Sequence, residues 1–413
     1  MKTILVIALA ASLASGSSAA GQPYGGDYFF SNYGYDWTVH PMVGAGLYRL
    51  TPAGRLTTLA SYAGKALWLN FTHQMDAANR HLIGAGWQMV YEWDAMTNAQ
   101  LRTMYTTGWI TGLSAHHANG FVLAISGELK HISPDLQTWT TISTLKSPYF
   151  SIHGQDLWSG DYIIVDDTTC AVSLVSTDGK QTRPVGTYFG GFTSTAIVQS
   201  HLDGDFRVFT GSGLLRVDPR TMVHSTLVSG SFIPSAATFD RALGKGAISL
   251  FTSSHTLQRM DPSGRVVSTS PRIQVPTWPF MIRHALERDL AAIRKASPNL
   301  WWLQLNCPTG AGRPYTIAIS MTGFTPGIHV GGRTIPLVPD ALFTLSVQGW
   351  LFPLLTGNIG TLSANGSGIA ILDLRRFGGA LTGLKLWAAA AVSNHSAPSG
   401  LSLITKPIVL VLD

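Results

Sequence analysis

Charge is scarce in this chain. Of its 413 residues only 12% are Asp, Glu, Lys or Arg, and three are Glu: Glu92, Glu128 and Glu287. No block of five or six like charges occurs, although the formal net charge is +6. Polyanions are held by clustered Lys and Arg, so neither a nucleic-acid partner nor a polybasic membrane patch is expected. Cysteine is nearly absent too. Cys170 and Cys307 lie far apart and outside any metal-binding cysteine spacing, which leaves one disulfide or two free thiols open. No serine elbow, P-loop or dinucleotide fingerprint occurs. Past the N-terminus no apolar run approaches the ~18 residues of a spanning helix, so no membrane span is expected in the mature chain.

What is abundant points elsewhere. Hydrophobic residues make up 45% of the chain and 43 residues are Gly, a balance that suits short strands and tight turns rather than a helical enzyme. The N-terminus has Lys2, an apolar stretch from Ile4 to Leu13, and small residues ending Ser18-Ala19-Ala20. That order reads as a signal peptide of residues 1–20 cleaved after Ala20, and the mature protein is expected to be secreted, periplasmic or cell-surface.

One pattern is written over and over. LLRVDPRTMVHSTL (Leu214 to Leu227) has close relatives in GLYRLTPAGRLTTL (Gly46 to Leu59) and LQRMDPSGRVVSTS (Leu257 to Ser270). With looser copies, its turn recurs at Thr51, Asp94, Ser133, Thr177, Asp218 and Asp261, at spacings of 43, 39, 44, 41 and 43 residues. Such a period is the mark of propeller blades, each a four-stranded antiparallel sheet. The other half of each period agrees. A polar turn with Asp or Asn precedes an apolar strand: Asp76 before LIGAG, Asn119 before FVLAIS, Asp156 before YIIVD, Asp203 before FRVFTG, Asp240 before AISLF and Asp289 before LAAI. If GDYFFSNYGYDWTVHPMV supplies the inner strands of the first blade, and NLWWLQLN belongs to the last, the count is seven blades; six is the alternative.

Residues 22–306 resemble secreted bacterial propellers grouped with the YVTN and WD40-like proteins, although the Trp-Asp signature appears once, as Trp93-Asp94. The resemblance implies a fold and no particular activity. From Pro308 the period stops. Alternating strands separated by Gly, Pro and Asn turns run to the end, as in a small β-sandwich. Pro326-Gly327, Ile335 to Leu337 and Ser399 to Leu401 resemble a C-terminal module of uncharacterised exported bacterial proteins. The expected class is therefore all-β: a seven-bladed (alternatively six-bladed) β-propeller over residues 21–306, then a β-sandwich over 307–413.

Five histidines form the candidate ligand-binding set. His73, His117, His153 and His201 stand two to three residues before the first turn of their blades, and His284 stands five before Asp289. Imidazoles in equivalent positions can bind a metal or act as general bases; bonding of each to its own turn is the structural alternative. The acidic residues Asp161, Asp166, Asp167, Asp203 and Asp205 are open to calcium or to turn formation. SPDLQTW (Ser133 to Trp139) resembles the Asp-box of sialidase-type propellers, a structural turn, with one residue fewer. Trp37, Trp109 and Trp278 are the tryptophans placed in loops. The leading expectation is a monomeric, non-catalytic exported binding protein for an extracellular protein or carbohydrate. It needs no cofactor. The alternative is a propeller enzyme (lactonase, lyase or glycan-cleaving) with a divalent metal at the channel mouth.

Overall fold

A computed structural model of the chain describes residues 28–32, 45–50, 56–62, 72–76, 81–94, 100–115, 120–133, 136–188, 196–200, 203–210, 212–230, 234–240, 247–252, 256–261, 263–270, 279–284, 290–294, 299–307, 310–330, 333–364, 366–394, 396–397 and 399–412. The leader, His117, His201, Trp37 and Trp278 lie outside these residues.

Each apolar repeat becomes a sheet. β1 (Tyr28–Asn32), β2 (Ala45–Leu50) and β3 (Leu56–Tyr62) join β22 (Pro279–His284) in the order β22-β1-β2-β3. A six-stranded sheet follows from β4 (Thr72–Asp76), β5 (His81–Asp94), β6 (Gln100–Ala115), β7 (Phe121–Ile125), β8 (Glu128–Ile132) and β9 (Trp139–Thr144). It holds two blades run together. The first part of β5 pairs with β4 and the rest with β6, whose far end pairs with β7.

Three regular blades complete the ring. They are β10 (Phe150–Gln155) to β13 (Thr182–Thr187) through β11 (Tyr162–Asp166) and β12 (Ala171–Val175); β14 (Ala196–Gln199) to β17 (His224–Ser229) through β15 (Phe206–Thr210) and β16 (Gly213–Val217); and β18 (Pro234–Asp240) to β21 (Val266–Thr269) through β19 (Ala247–Thr252) and β20 (Leu257–Met260).

Among the described residues the inner strands neighbour one another in a closed cycle, β22, β4, β6, β10, β14, β18 and back to β22. The ring therefore has six blades, not seven. Among the described residues GDYFFSNYGYDWTVHPMV supplies β1, and the innermost strand beside it is β22, from the other end of the repeat region. Burial follows radius. In β7 and β15 every residue is buried, because neighbouring blades cover both faces. β17 and β21 are mostly exposed and read HSTLVS and VVST.

The seventh apolar pair goes elsewhere. β23 (Leu290–Arg294) and β24 (Leu300–Asn306) form a sheet with β30 (Ser367–Asp373) and β28 (Leu355–Thr356), in full register from Leu300↔Asp373 to Asn306↔Ser367. The C-terminal unit thus takes in strands that precede residue 307, and the expected boundary moves back to between β22 and β23. Its second sheet is β29 (Ile359–Thr361), β25 (Pro314–Ser320), β31 (Lys385–Ser393) and β32 (Leu401–Ile404), with β33 (Ile408–Val411) also on β31. β26 (Ile328–Val330) and β27 (Arg333–Ile335) make a separate hairpin.

The two sheets share one core. Trp301, Leu303 and Leu305 of β24 meet Ile317, Ile319, Ala388, Ala390 and Leu410. ALFTLSV, expected as a strand, is the helix α1 (Ala341–Val347): the Asp340 side chain caps it by accepting from Phe343 N at 2.7 Å. The opposite face of the second sheet packs Phe324, Leu337, Phe343, Trp387 and Val409 around Leu157 and Trp158 of the β10–β11 turn. Trp387 Nε1 donates to Leu157 O at 2.8 Å, so ring and module meet in one cluster.

Candidate binding rim

Antiparallel pairing puts the start of β10 beside the end of β11, since Phe150 is opposite Asp166. Turns from three chain segments are tied together at this end of the blades. Ser126 N donates to Trp109 O and Trp109 N to Ser126 Oγ, both at 3.0 Å. Leu145 N donates to Gly127 O at 2.7 Å, and Asp167 N to Tyr149 O at 3.0 Å. Gly127 has a φ of +89° and lies under Ser147 and Pro148, so this crossing favours glycine. From this braced rim Trp109 and Tyr149 stand 56% and 54% exposed, and Tyr105, further along β6, is 78% exposed.

A polar cluster lies under the rim. Ser151 Oγ donates to Asp167 Oδ1 at 3.1 Å and is 3.0 Å from His153 Nε2. His153 is the extra residue of a bulge: Ile152 is opposite Ile164 and Gly154 opposite Ile163. A bulge re-aims a side chain, here back toward Ser151. Asp167 is exposed as a residue, yet the protein around its carboxyl desolvates it and pushes its pKa up to about 6; the Ser151 bond opposes this and the Asp166 charge adds to it. Ser151 Oγ thus bridges the Asp167 carboxyl and the His153 ring. The order carboxylate–hydroxyl–imidazole differs from a nucleophilic relay, where the imidazole stands between the other two.

The three described histidines of the set do not share one strand position. His73, His153 and His284 are on the inner strands β4, β10 and β22, but His73 is the second residue of its strand, His153 the fourth and His284 the last. The turns after β10 and β14 superpose by their bonds. Asp156 N donates to Asp161 O and Gly160 N to Asp156 O, as Ser200 N does to Asp205 O and Gly204 N to Ser200 O. In that register Ile152 matches Ile197, and the bulged His153 has no counterpart in β14.

Four of the acidic candidates, Asp166, Asp167, Asp203 and Asp205, have partners within the protein. Asp166 Oδ1 accepts from Thr168 N and Thr169 N. Asp203 Oδ2 takes Arg207 Nη2 at 2.7 Å, and Asp205 pairs with Arg216. Burial pushes the Asp203 carboxyl up, but Arg207, Ser200 and the Asp205 amide outweigh it and hold the pKa below the usual range. Among the described residues no group of three His, Cys, Asp or Glu is placed to hold a metal. Cys170 and Cys307 are not joined by a disulfide. SPDLQTW is a turn closed on itself: Thr138 N donates to Ser133 Oγ, Trp139 Nε1 to Leu136 O, and Leu136 is buried. The rim tyrosines carried no repeat signal; Trp109 stood out in the sequence as a loop residue, but the structure places it within β6.

No protein-family model matches the chain, and no curated protein does. Among solved structures it is similar to a chain in the crystal structure of a nidogen/laminin complex, with 13% identity and a TM-score of 0.51 over 63% of this chain and 99% of that one. The ring is a β-propeller. Weaker likenesses are to regucalcin, a calcium-binding protein of Agrobacterium tumefaciens (12% identity, TM-score 0.39, 56% of this chain and 80% of that one), and to a protein of unknown function from Bacteroides thetaiotaomicron (14%, 0.39, 54% and 63%).

Proposed function

We propose that this chain is an exported binding protein whose propeller rim, around Tyr105, Trp109 and Tyr149, docks on an extracellular protein. The exposure of Tyr149, on a turn tied by a backbone hydrogen bond, and of Tyr105 and Trp109, on strand β6, carries the reading. Tyr and Trp dominate the energetic centres of protein interfaces, and a braced loop loses little entropy on binding. The solved propeller it resembles comes from a protein–protein complex. In this reading the cluster of Ser151, His153 and Asp167 holds the β11–β12 turn against β10.

The test is proximity capture at the cell surface with a photoreactive group placed at Ser147, which neighbours Tyr149. The captured partner is then titrated against purified full-length protein, Trp109→Ala and Tyr149→Ala. A tenfold or greater weakening by either substitution, with an unchanged melting temperature, is the expected result. A partner that binds both variants as tightly as the parent removes the rim from the interface.

A further inference from the structure

The rim aromatic Tyr149 has carboxylates for neighbours. Its backbone is held on both sides: Tyr149 N donates to Ser147 Oγ at 3.2 Å, and Tyr149 O accepts from Asp167 N at 3.0 Å. Phe150, the next residue, is buried in β10 and stands opposite Asp166. The Tyr149 side chain thus leaves a fixed backbone beside the turn that carries Asp166 and Asp167 in succession. Asp167 is exposed as a residue and Asp166 is half-buried.

These two negative charges are not balanced locally. Ser151 Oγ donates to Asp167 Oδ1, and Thr168 N and Thr169 N donate to Asp166 Oδ1. Among the described residues, however, neither carboxylate is in an ion pair with Lys or Arg. The charge that acts on Asp167 is that of Asp166, and together with burial it opposes ionisation. The groups around the carboxyl are Asp166 on its own turn, Tyr149 on the β9–β10 connection and His153 on β10, whose ring meets Ser151. Cys170 and Tyr188 close the far side of the turn, with Tyr188 N donating to Cys170 O at 3.1 Å. Lys146, three residues before Tyr149, is one cation against two acids. The matching turns of other blades, between β7 and β8, β15 and β16, and β19 and β20, contain no Asp, Glu, Lys or Arg. Ionised groups that destabilise the fold gather at functional sites.

We propose that this part of the rim receives a basic segment of the partner protein, an arginine or lysine side chain meeting the Asp166 and Asp167 carboxylates with the Tyr149 ring beside it. The inference rests on the docking reading above and adds the chemistry of what docks. A guanidinium or ammonium group supplies the missing counter-charge, and an aromatic ring next to the acids adds a cation–π contact. An acidic segment is repelled by the pair, so the charge here discriminates between partners. The whole chain carries +6. A cationic peptide is therefore repelled by the protein at large and attracted only where negative charge is concentrated.

The probe is a dye-labelled octa-arginine peptide, with a Gly-Ser octamer as the neutral control, and its binding to the full-length protein is read by fluorescence anisotropy at low salt. Expected is binding of octa-arginine and none of the control. Affinity should fall at least tenfold in Asp167→Asn and be lost in Asp166→Asn/Asp167→Asn, whose amide oxygens still accept the bonds of the turn. It should fall about threefold in Tyr149→Ala and hold in Tyr149→Phe. Asp373→Asn, the same charge change on the C-terminal unit, should leave it unchanged. With the Asp167 pKa at about 6, parent affinity should drop about tenfold between roughly pH 7.5 and pH 5 as the carboxyl takes up its proton, a step that Asp167→Asn should lose. Absence of octa-arginine binding overturns the proposal, as does binding that survives the double Asn variant or parent affinity that is flat across this pH range. The partner captured at Ser147 separates this inference from the docking reading. If its affinity falls in Trp109→Ala or Tyr149→Ala but not in the double Asn variant, the rim stays an interface and the basic segment is overturned; if it is indifferent to all of them, both fall.

Discussion

Replacing Trp158 by Ala tests whether ring and module are held as one body. The indole sits in the β10–β11 turn with its centroid 4.6 Å from that of Phe324, and the Arg220 guanidinium lies 4.2 Å over it. Its Nε1 is buried without a hydrogen-bond partner, so the substitution removes packing and no hydrogen bond. A fully buried Trp→Ala change costs ~3–5 kcal/mol; half of that, about 2 kcal/mol, suits a side chain only partly buried. The aromatic pair adds ~0.5–1.5 kcal/mol and the cation–π contact ~0.5–1 kcal/mol. The expected loss is thus on the order of 3 kcal/mol, or roughly 5–10 °C at a few degrees per kcal/mol for a unit of this size. Scanning calorimetry reads it, and the single parent transition should divide as the module uncouples from the ring. Trp158→Phe should keep most of the stability, and a cycle with Arg220→Ala should show coupling of ~0.5–1 kcal/mol. A Trp158→Ala protein that melts within about 1 °C of the parent, in one transition, would falsify the clamp.

Asp167→Asn tests the polar cluster. The folded state holds the Asp167 proton more tightly than the unfolded chain, so parent stability falls as pH rises from about 3.8 through about 6. Asn still accepts from Ser151 and has no such dependence, so the variant should be close to the parent at pH 4 and more stable at pH 7. The gain should stay below ~1 kcal/mol because the residue is exposed, and urea midpoints at the two pH values measure it. Two glycines of similar backbone separate clash from strain. Gly179 (φ +73°) would place a Cβ 2.0 Å from Ile142 O, while Gly312 (φ +72°) has open space. Gly312→Ala should cost ~1 kcal/mol and Gly179→Ala several times that, read by thermal melts; equal costs would mean that the β12–β13 turn moves aside freely.

The blade period was legible because each blade buries the same faces, which forces Asp turns and apolar strands to recur. Partnership was not. LWWLQLN has the pattern of a blade strand, yet its hydrogen bonds go to β30 some 65 residues on, and alternation names a buried face without naming the neighbour. FMIRH was hidden for the complementary reason, since its partner β1 lies at the far end of the repeats. The helix α1 lies in a stretch read as alternating strands, and its start is set by the Asp340 side chain accepting from Phe343 N. Among the histidines, distance to the next Asp proved a poor guide to register, because the turn after β10 begins at Asp156 while the matching turn after β14 begins at Ser200, ahead of Asp203.

Closure of the first blade by β22 also sets an order of events during synthesis. Until residue 284 has left the ribosome, β1 has one bare edge, and every blade made before then forms an open arc with unpaired strand ends at both extremities. Only the last strand of the repeat region turns the arc into a ring, and the strands that follow it at once, β23 and β24, must wait for β30 before they too are paired on both sides. The chain therefore spends most of its birth with an exposed template for misassociation, and any factor that escorts it has β1 to shield.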